Sequence, residues 1–423
     1  MNVLTKLAAF VQGAGLETLP AARFDRLKLH IVDACVARLA GSRTDEGAAI
    51  ARLCASMPGL DGDILAACAQ TRCTEVDDIH LASCTTPGSV VVSTALALAA
   101  TGDLRTVGDV CAASLAGFES LIRLGVAIGG PTAIGKGVWP THAAAAFGSA
   151  AVTCRAYGLD VDRTAGALAT ALAFGSATPI SAAMPSSSRW MTLGLAAVNG
   201  MTAARAGREG LIAAADRVSL GPSMINGLGR RFLFDDIGVK PYPTARQGLA
   251  AIEAARELVD IKAIDPSRID EIVVHLPEPQ RAIVDHAELP KTRFGSIVSV
   301  QYQIALALAA PERLYEVRRT PPFLDDGIRE LISKIRVRRA HDLDRHYPRA
   351  WPARVEIRTG GRRYSRLVLR PHGDARHPFG WDDMGRKCLA LARAIDNENV
   401  ARVVAEMRRA AATTEMPALW TWR

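Results

Sequence analysis

Apolar residues recur at helical spacing through most of the first half of the chain. Phe24, Leu27, Ile31, Cys35 and Leu39 share one face of a predicted helix over 23–39, which Gly41 is expected to stop. The same period predicts helices over 48–57, 90–100, 107–124 (closing at Gly125), 143–157 (stopped at Gly158), 160–174 and 193–206. Met1 to Gly13 also reads as an amphipathic helix, without the cleavage pattern of an export signal.

The period changes after about residue 235. Ile269 to Leu276 alternates apolar and polar residues with β-branched enrichment, as do 335–337, 354–359 and 363–369. Gly360-Gly361 between the last two is a hairpin signal. Helices are predicted over 247–259 and 296–309, and a charged helical pattern returns over 381–409. The expected architecture is therefore mainly α: a large all-helical domain (1–238 with 379–423) and a smaller α+β domain (239–378).

Composition narrows the core and the compartment. Of the 423 residues 49% are hydrophobic but only 5% aromatic, so Ala, Leu, Val and Ile must fill tightly packed helical layers. No run of eighteen uncharged apolar residues occurs, so no membrane span is expected. The eight cysteines form no CxxC pair and lie in apolar helical patterns, which points to reduced thiols in the cytoplasm and gives no support to a metal site. Between Lys334 and Arg370 twelve Lys/Arg face three Asp/Glu, which accounts for much of the net charge of +8. Several alternate along strand, so a solvated sheet face and a field that attracts small anions are expected in place of nucleic-acid binding.

Candidate chemistry gathers at five places. In Glu75 to Val90, the carboxylates of Asp77 and Asp78 and the imidazole of His80 precede Thr86-Pro87-Gly88 and a buried helix. Its N-terminus suits a carboxylate, and the paired acids equally suit ordinary capping. A glycine-rich loop over 128–142 delivers Trp139 and His142 to the start of another helix. It matches no phosphate-loop or dinucleotide fingerprint, so no nucleotide cofactor is expected. Pro185-Ser-Ser-Ser-Arg189 reads as an irregular wall whose arginine can fork onto a carboxylate or simply face solvent. Val239 to Arg246 sets Lys240, Tyr242 and Arg246 around two prolines, and Tyr302 lies in an otherwise apolar helix.

Five motifs in order resemble the MmgE/PrpD family, which includes 2-methylcitrate dehydratase, cis-aconitate decarboxylase and iminodisuccinate epimerase. They are Val76-Asp-Asp with Pro87-Gly-Ser-Val90, Gly137-x-x-Pro-Thr141 with Phe147-Gly148 and Tyr157-Gly-Leu-Asp160, Gly194-x-Ala-Ala-x-Asn-Gly200, Lys240-Pro-Tyr-Pro243 with Arg246, and Ser299-x-x-Tyr302. The resemblance implies a helical domain with a smaller α+β lid, a homodimer, and cofactor-free lyase or isomerase chemistry on small polycarboxylates. Asp77, Asp78, Lys240, Tyr242, Arg246 and Tyr302 keep the family residues. Thr86 and Trp139 stand where the family has histidines, Arg189 stands at a family lysine with Thr192 at a nearby histidine, and Glu75 and Ile79 stand at positions usually Asp and Thr.

Threonine and tryptophan cannot shuttle a proton, so His142 or His80 is expected to take over as acid/base. Lys240 and Tyr302 are then expected to hold and polarise the substrate, with Asp78, Thr86, Trp139, Arg189, Tyr242 and Arg246 binding it. Trp139 suggests a substrate with a flat or apolar portion. The expected function is a cofactor-independent lyase or isomerase of a small anionic organic acid, without a metal, nucleic-acid or membrane partner. Two alternatives stay open: the fold recruited to another reaction, such as cyclisation or condensation, or a non-catalytic ligand-binding or structural homologue.

Overall fold

The structure is a computed structural model that describes residues 2–15, 19–57, 59–175, 186–286, 288–319, 325–395, 397 and 399–416. The chain divides into two compact units: Met1–Val239 with Gly380–Ala392 and Asn397–Arg423, and Lys240–Phe379 with Arg393–Asp396.

In the first unit the helices are α1 (Val3–Gly13), α2 (Ala21–Ser42), α3 (Asp45–Cys54), α4 (Leu60–Cys73), α5 (Gly88–Ala100), α6 (Val107–Ala127), α7 (Pro131–Ile134), α8 (Pro140–Ala156), α9 (Val161–Ala173) and α10 (Ser186–Arg208). A two-residue ladder joins β1 (Ile79–His80) to β2 (Ile237–Gly238). Their core is built as the aromatic-poor composition requires, largely from Ala, Val, Leu and Ile. α6 is long and apolar enough to cross a membrane, but 89% of its most apolar window is buried in this unit. It also carries a fully buried Arg123–Glu119 ion pair at 3.0 Å.

Glycines set how closely these helices approach. A Cβ at Gly194 of α10 would come 2.6 Å from the Leu65 carbonyl oxygen of α4, and one at Gly200 would come 2.1 Å from that of Ala146 on α8. α10 therefore lies with main chain against main chain on both neighbours, and both glycines belong to the motif noted above. Gly41 and Gly125 correct the expected helix stops, because both lie inside helices. Their missing side chains admit the Gln70 carbonyl at Gly41 and the side chains of Thr85 and Ser83 at Gly125. The expected irregular wall is also corrected in part: 186–189 is the first turn of α10, while 179–185 lies outside the described residues.

The second unit holds α11 (Leu249–Lys262), β3 (Ile269–Leu276), α12 (Glu278–Val284), α13 (Arg293–Val298), α14 (Val300–Ala309), α15 (Asp326–Lys334), β4 (Ile335–Arg339), β5 (Ala353–Thr359) and β6 (Arg362–Val368). Its sheet runs β4-β3-β5-β6, with β3 and β4 parallel and the other pairs antiparallel. Ile272, Val274, Leu276, Val355 and Ile357 form one face and join a core with Leu249, Ile252, Ile304 and Leu331. On the opposite face Arg358 and Arg363 pair with Glu271 and Glu356. Gly360 and Gly361, at φ 54° and 73°, make the hairpin turn that only glycine adopts freely. The expected single helix over 296–309 is broken at Ser299, whose hydroxyl accepts the Tyr302 N–H at 3.2 Å and starts α14.

After the second unit the chain returns to the first. α16 (Trp381–Ile395) and α17 (Asn399–Arg409) follow. Lys387 of α16 is ion-paired with Asp33 of α2, both buried, and donates to the Val76 carbonyl at 2.8 Å. The Lys28 ammonium caps α17 through the Arg408 and Ala410 carbonyls, each at 3.1 Å.

Candidate active site

Asp78 occupies the helix end that had looked available for a ligand. Its carboxylate accepts the Gly88 N–H with both oxygens, at 2.9 and 3.1 Å, so α5 is capped from within the chain. Gly88 is needed there, because a Cβ would sit 2.7 Å from that carboxylate. His30 approaches the same group at 3.8 Å. On this geometry Asp78, expected to bind substrate, caps α5.

His80 is likewise engaged locally. Its Nδ1 meets the Ser83 hydroxyl at 2.8 Å, and its main chain pairs with Thr85. Burial drives its pKa down to about 4. These partners fix His80, expected as an acid/base group, in the turn before α5. Thr86 points its hydrogen bonding elsewhere: its N–H donates to the Thr141 hydroxyl at 3.0 Å, which ties the turn to the start of α8.

Three of the expected residues do come together at that start. Trp139 is the N-cap of α8 and supplies no side-chain cap, and Pro140 follows as the first helical residue. His142, in the first turn, places Nε2 2.9 Å from the Arg189 main-chain oxygen. A carbonyl only accepts, so Nε2 carries the proton and Nδ1 keeps its lone pair. Nδ1 is buried and has no hydrogen-bond partner among the described residues. Burial is the main reason that the His142 pKa falls to about 4; the Arg189 carbonyl opposes the fall, and Arg72 and Arg189 add to it. The imidazole is therefore neutral at pH 7. The Arg189 guanidinium lies 4.3 Å from the Trp139 ring centre, and Trp139 meets His142 edge-on at 6.5 Å.

Two residues that sequence reasoning passed over complete this group. Trp190 is 1% exposed and lies 5.5 Å from Arg189 and 5.1 Å from Arg72. Arg72 reaches Glu75 at 2.6 Å and Asp77 at 3.2 Å. The available signal was Arg72 standing three residues before Glu75 and five before Asp77, which brings a fork within reach of both acids.

The remaining expected residues belong to the second unit, and each has its own setting. Lys240 is 1% exposed at the start of that unit. Tyr242 meets Tyr315 edge-on at 6.2 Å, and burial raises its pKa. Tyr302 is buried beneath the Arg319 guanidinium at 5.6 Å, and its pKa too is raised by burial. Arg246 directs Nη2 to Asp374 at 2.8 Å, with both side chains buried. That arm binds a carboxylate of this chain, while Nη1 is buried with no hydrogen-bond partner among the described residues. Among the described residues no group of three or more His, Cys, Asp or Glu is arranged to hold a metal ion.

Comparison with known families decides the kinship. The MmgE/PrpD N-terminal domain matches residues 5–223 and the MmgE/PrpD C-terminal domain matches 242–412. The chain belongs to the MmgE/PrpD family. Members of MmgE/PrpD are typically dehydratases or lyases. No curated protein matches the chain. Within the MmgE/PrpD framework the glycines of the 194–200 motif bring α10 against α4 and α8, and so bring Arg189 and Trp190 to Arg72 and His142.

Proposed function

We propose that the chain is a cofactor-independent lyase or isomerase that moves a proton next to the carboxylate or carbonyl of a small organic acid. His142 is the acid/base group, Arg189 anchors a substrate carboxylate, and Trp139 contacts a flat or apolar part of the substrate. The observation that carries this reading is the buried Nδ1 lone pair of a neutral imidazole whose other nitrogen is held by the Arg189 carbonyl.

Such a nitrogen accepts a proton without first losing one. With a pKa of about 4 it is a weak base at pH 7 in the ligand-free protein. A substrate carboxylate beside Arg189 cancels part of the positive field from Arg72 and Arg189 and raises that basicity toward the working pH, where general catalysis is most effective. Family membership supports the reaction class, and the exchange of both expected proton-shuttling histidines for Thr86 and Trp139 supports a substrate unlike citrate.

The test is deuterium wash-in from D2O into a panel of hydroxy, keto and unsaturated acids, followed by mass spectrometry. Wild-type protein should label at least one acid, and His142→Gln should lower the rate by ~10²-fold or more. Equal labelling by both proteins overturns the assignment.

A further inference from the structure

Arg72 lies outside every motif noted above, yet it ends a continuous stack that reaches His142. In order the stack is Arg72, Trp190, Arg189, Trp139 and His142, with separations of 5.1, 5.5, 4.3 and 6.5 Å. It draws on α4, α10, the residue before α8 and α8 itself. The His142 bond to the Arg189 carbonyl closes it back on α10 at 2.9 Å.

We propose that Arg72 is a positioning residue that fixes the tautomer of His142. This inference rests on the reading of His142 as the proton-transfer group. Arg72 is held at its own end by Glu75 and Asp77, and Glu75 adopts φ 57°, a left-handed backbone that a non-glycine residue takes only when its surroundings impose it. Both carboxylates meet Nη1, while the guanidinium carbon lies 5.1 Å from the Trp190 ring centre; an ammonium held by the two acids puts no planar group over the indole. Trp190 and Arg189 are consecutive, so the placement of the indole sets the placement of the carbonyl that His142 reads. A hydrogen bond tolerates only a few tenths of an ångström before it weakens. Loss of the Arg72 support therefore frees Nε2, and the ring proton distributes over both nitrogens.

The experiment is long-range proton–nitrogen correlation NMR on protein labelled with 15N-histidine, with His142 assigned from the signal lost in His142→Gln. Wild-type protein should show the fixed Nε2–H pattern. Arg72→Lys, which keeps a cation for Glu75 and Asp77, should shift both ring nitrogens of His142 toward tautomer-averaged positions. Arg205→Lys, on α10 and paired with Asp61, should leave the wild-type pattern. An unaltered Nε2–H pattern in folded Arg72→Lys overturns the proposal. If Arg72→Lys does not fold, Trp190→Phe carries the test: averaging supports the proposal, and a fixed pattern overturns it. The readout needs no turnover, so a failed stack and a failed catalytic assignment separate. A fixed tautomer in Arg72→Lys removes the role of Arg72 alone, whereas wash-in that survives His142→Gln removes the role of His142 alone.

Discussion

His142 takes its proton position from the main chain of Arg189: Nε2 lies 2.9 Å from that carbonyl oxygen, while the Arg189 side chain runs on to the Trp139 ring at 4.3 Å. One residue thus serves the proposed base through its backbone and the proposed substrate through its guanidinium, and substitution separates the two roles. Arg189→Lys keeps the carbonyl and loses the fork and the stack, so KM for an acid found by wash-in should rise roughly tenfold or more with kcat changed far less. His142→Gln should do the reverse, and steady-state kinetics on both variants checks the split.

Acid should destabilise the helical unit through its buried histidines. His80 and His142 are held near pKa 4 by burial, below the value of about 6.5 expected of the unfolded chain. Between those values the unfolded chain binds protons that the folded chain refuses. Their contribution is therefore fully present above pH 6.5 and is lost as pH falls toward 4, on the order of 3 kcal/mol for each. Urea unfolding at pH 7.5 and pH 5 should show the loss, and His80→Gln should flatten the pH dependence while lowering stability at neutral pH.

The close approach of α10 to α8 predicts a severe effect from one methyl group. In Gly200→Ala the new carbon would stand 2.1 Å from the Ala146 carbonyl oxygen, so the helices must separate. Overpacking of this kind costs about 1–3 kcal/mol and sometimes more. Thermal melting reads the loss. Gly210→Ala, with open space around its Cβ but φ 80°, carries only backbone strain and should cost less.

Removing Lys387 takes the ion-pair partner from a buried carboxylate, since both side chains are 1% exposed. Lys387→Met should cost about 3–5 kcal/mol, and the double change Lys387→Met with Asp33→Leu should recover part of it. Chemical denaturation of the single and double variants gives the coupling; equal losses in both would show that the charge itself is not what matters.

Asp78 is predicted to matter to folding before chemistry. Asp78→Ala removes the two-oxygen cap on Gly88 and should cost about 1–2 kcal/mol. Asp78→Asn, which can still accept that N–H, should cost less. Unfolding free energies rank the two.

The architecture was legible because helix and strand periods are local. Ile272, Val274 and Leu276 alternate onto the core face of β3, and Gly360-Gly361 marks the β5–β6 hairpin without help from the rest of the chain. Gly41 misled because a glycine that ends a helix and one that admits a neighbour look alike in sequence; only the Gln70 carbonyl tells them apart. The candidate site was legible in part. Trp139 and His142 are three residues apart and arrive together, whereas the Arg189 carbonyl, Arg72 and Trp190 meet them only through packing of α10 on α4 and α8. Arg246 and Asp374 are far apart along the chain, and no local pattern could reveal that they pair.

The helical unit is assembled from discontinuous sequence. The first turn of α6 donates from Val107 and Gly108 to the carbonyls of Thr414 and Ala412, and Lys387 reaches back to Asp33 and Val76. A ribosome must therefore synthesise the entire sheet-bearing unit before these early helices receive their last partners. Until then a buried-type aspartate and open helix N–H groups wait in water, so newborn chains spend that interval in need of shelter, and truncation before Trp381 should leave the longer, earlier portion as the part that aggregates.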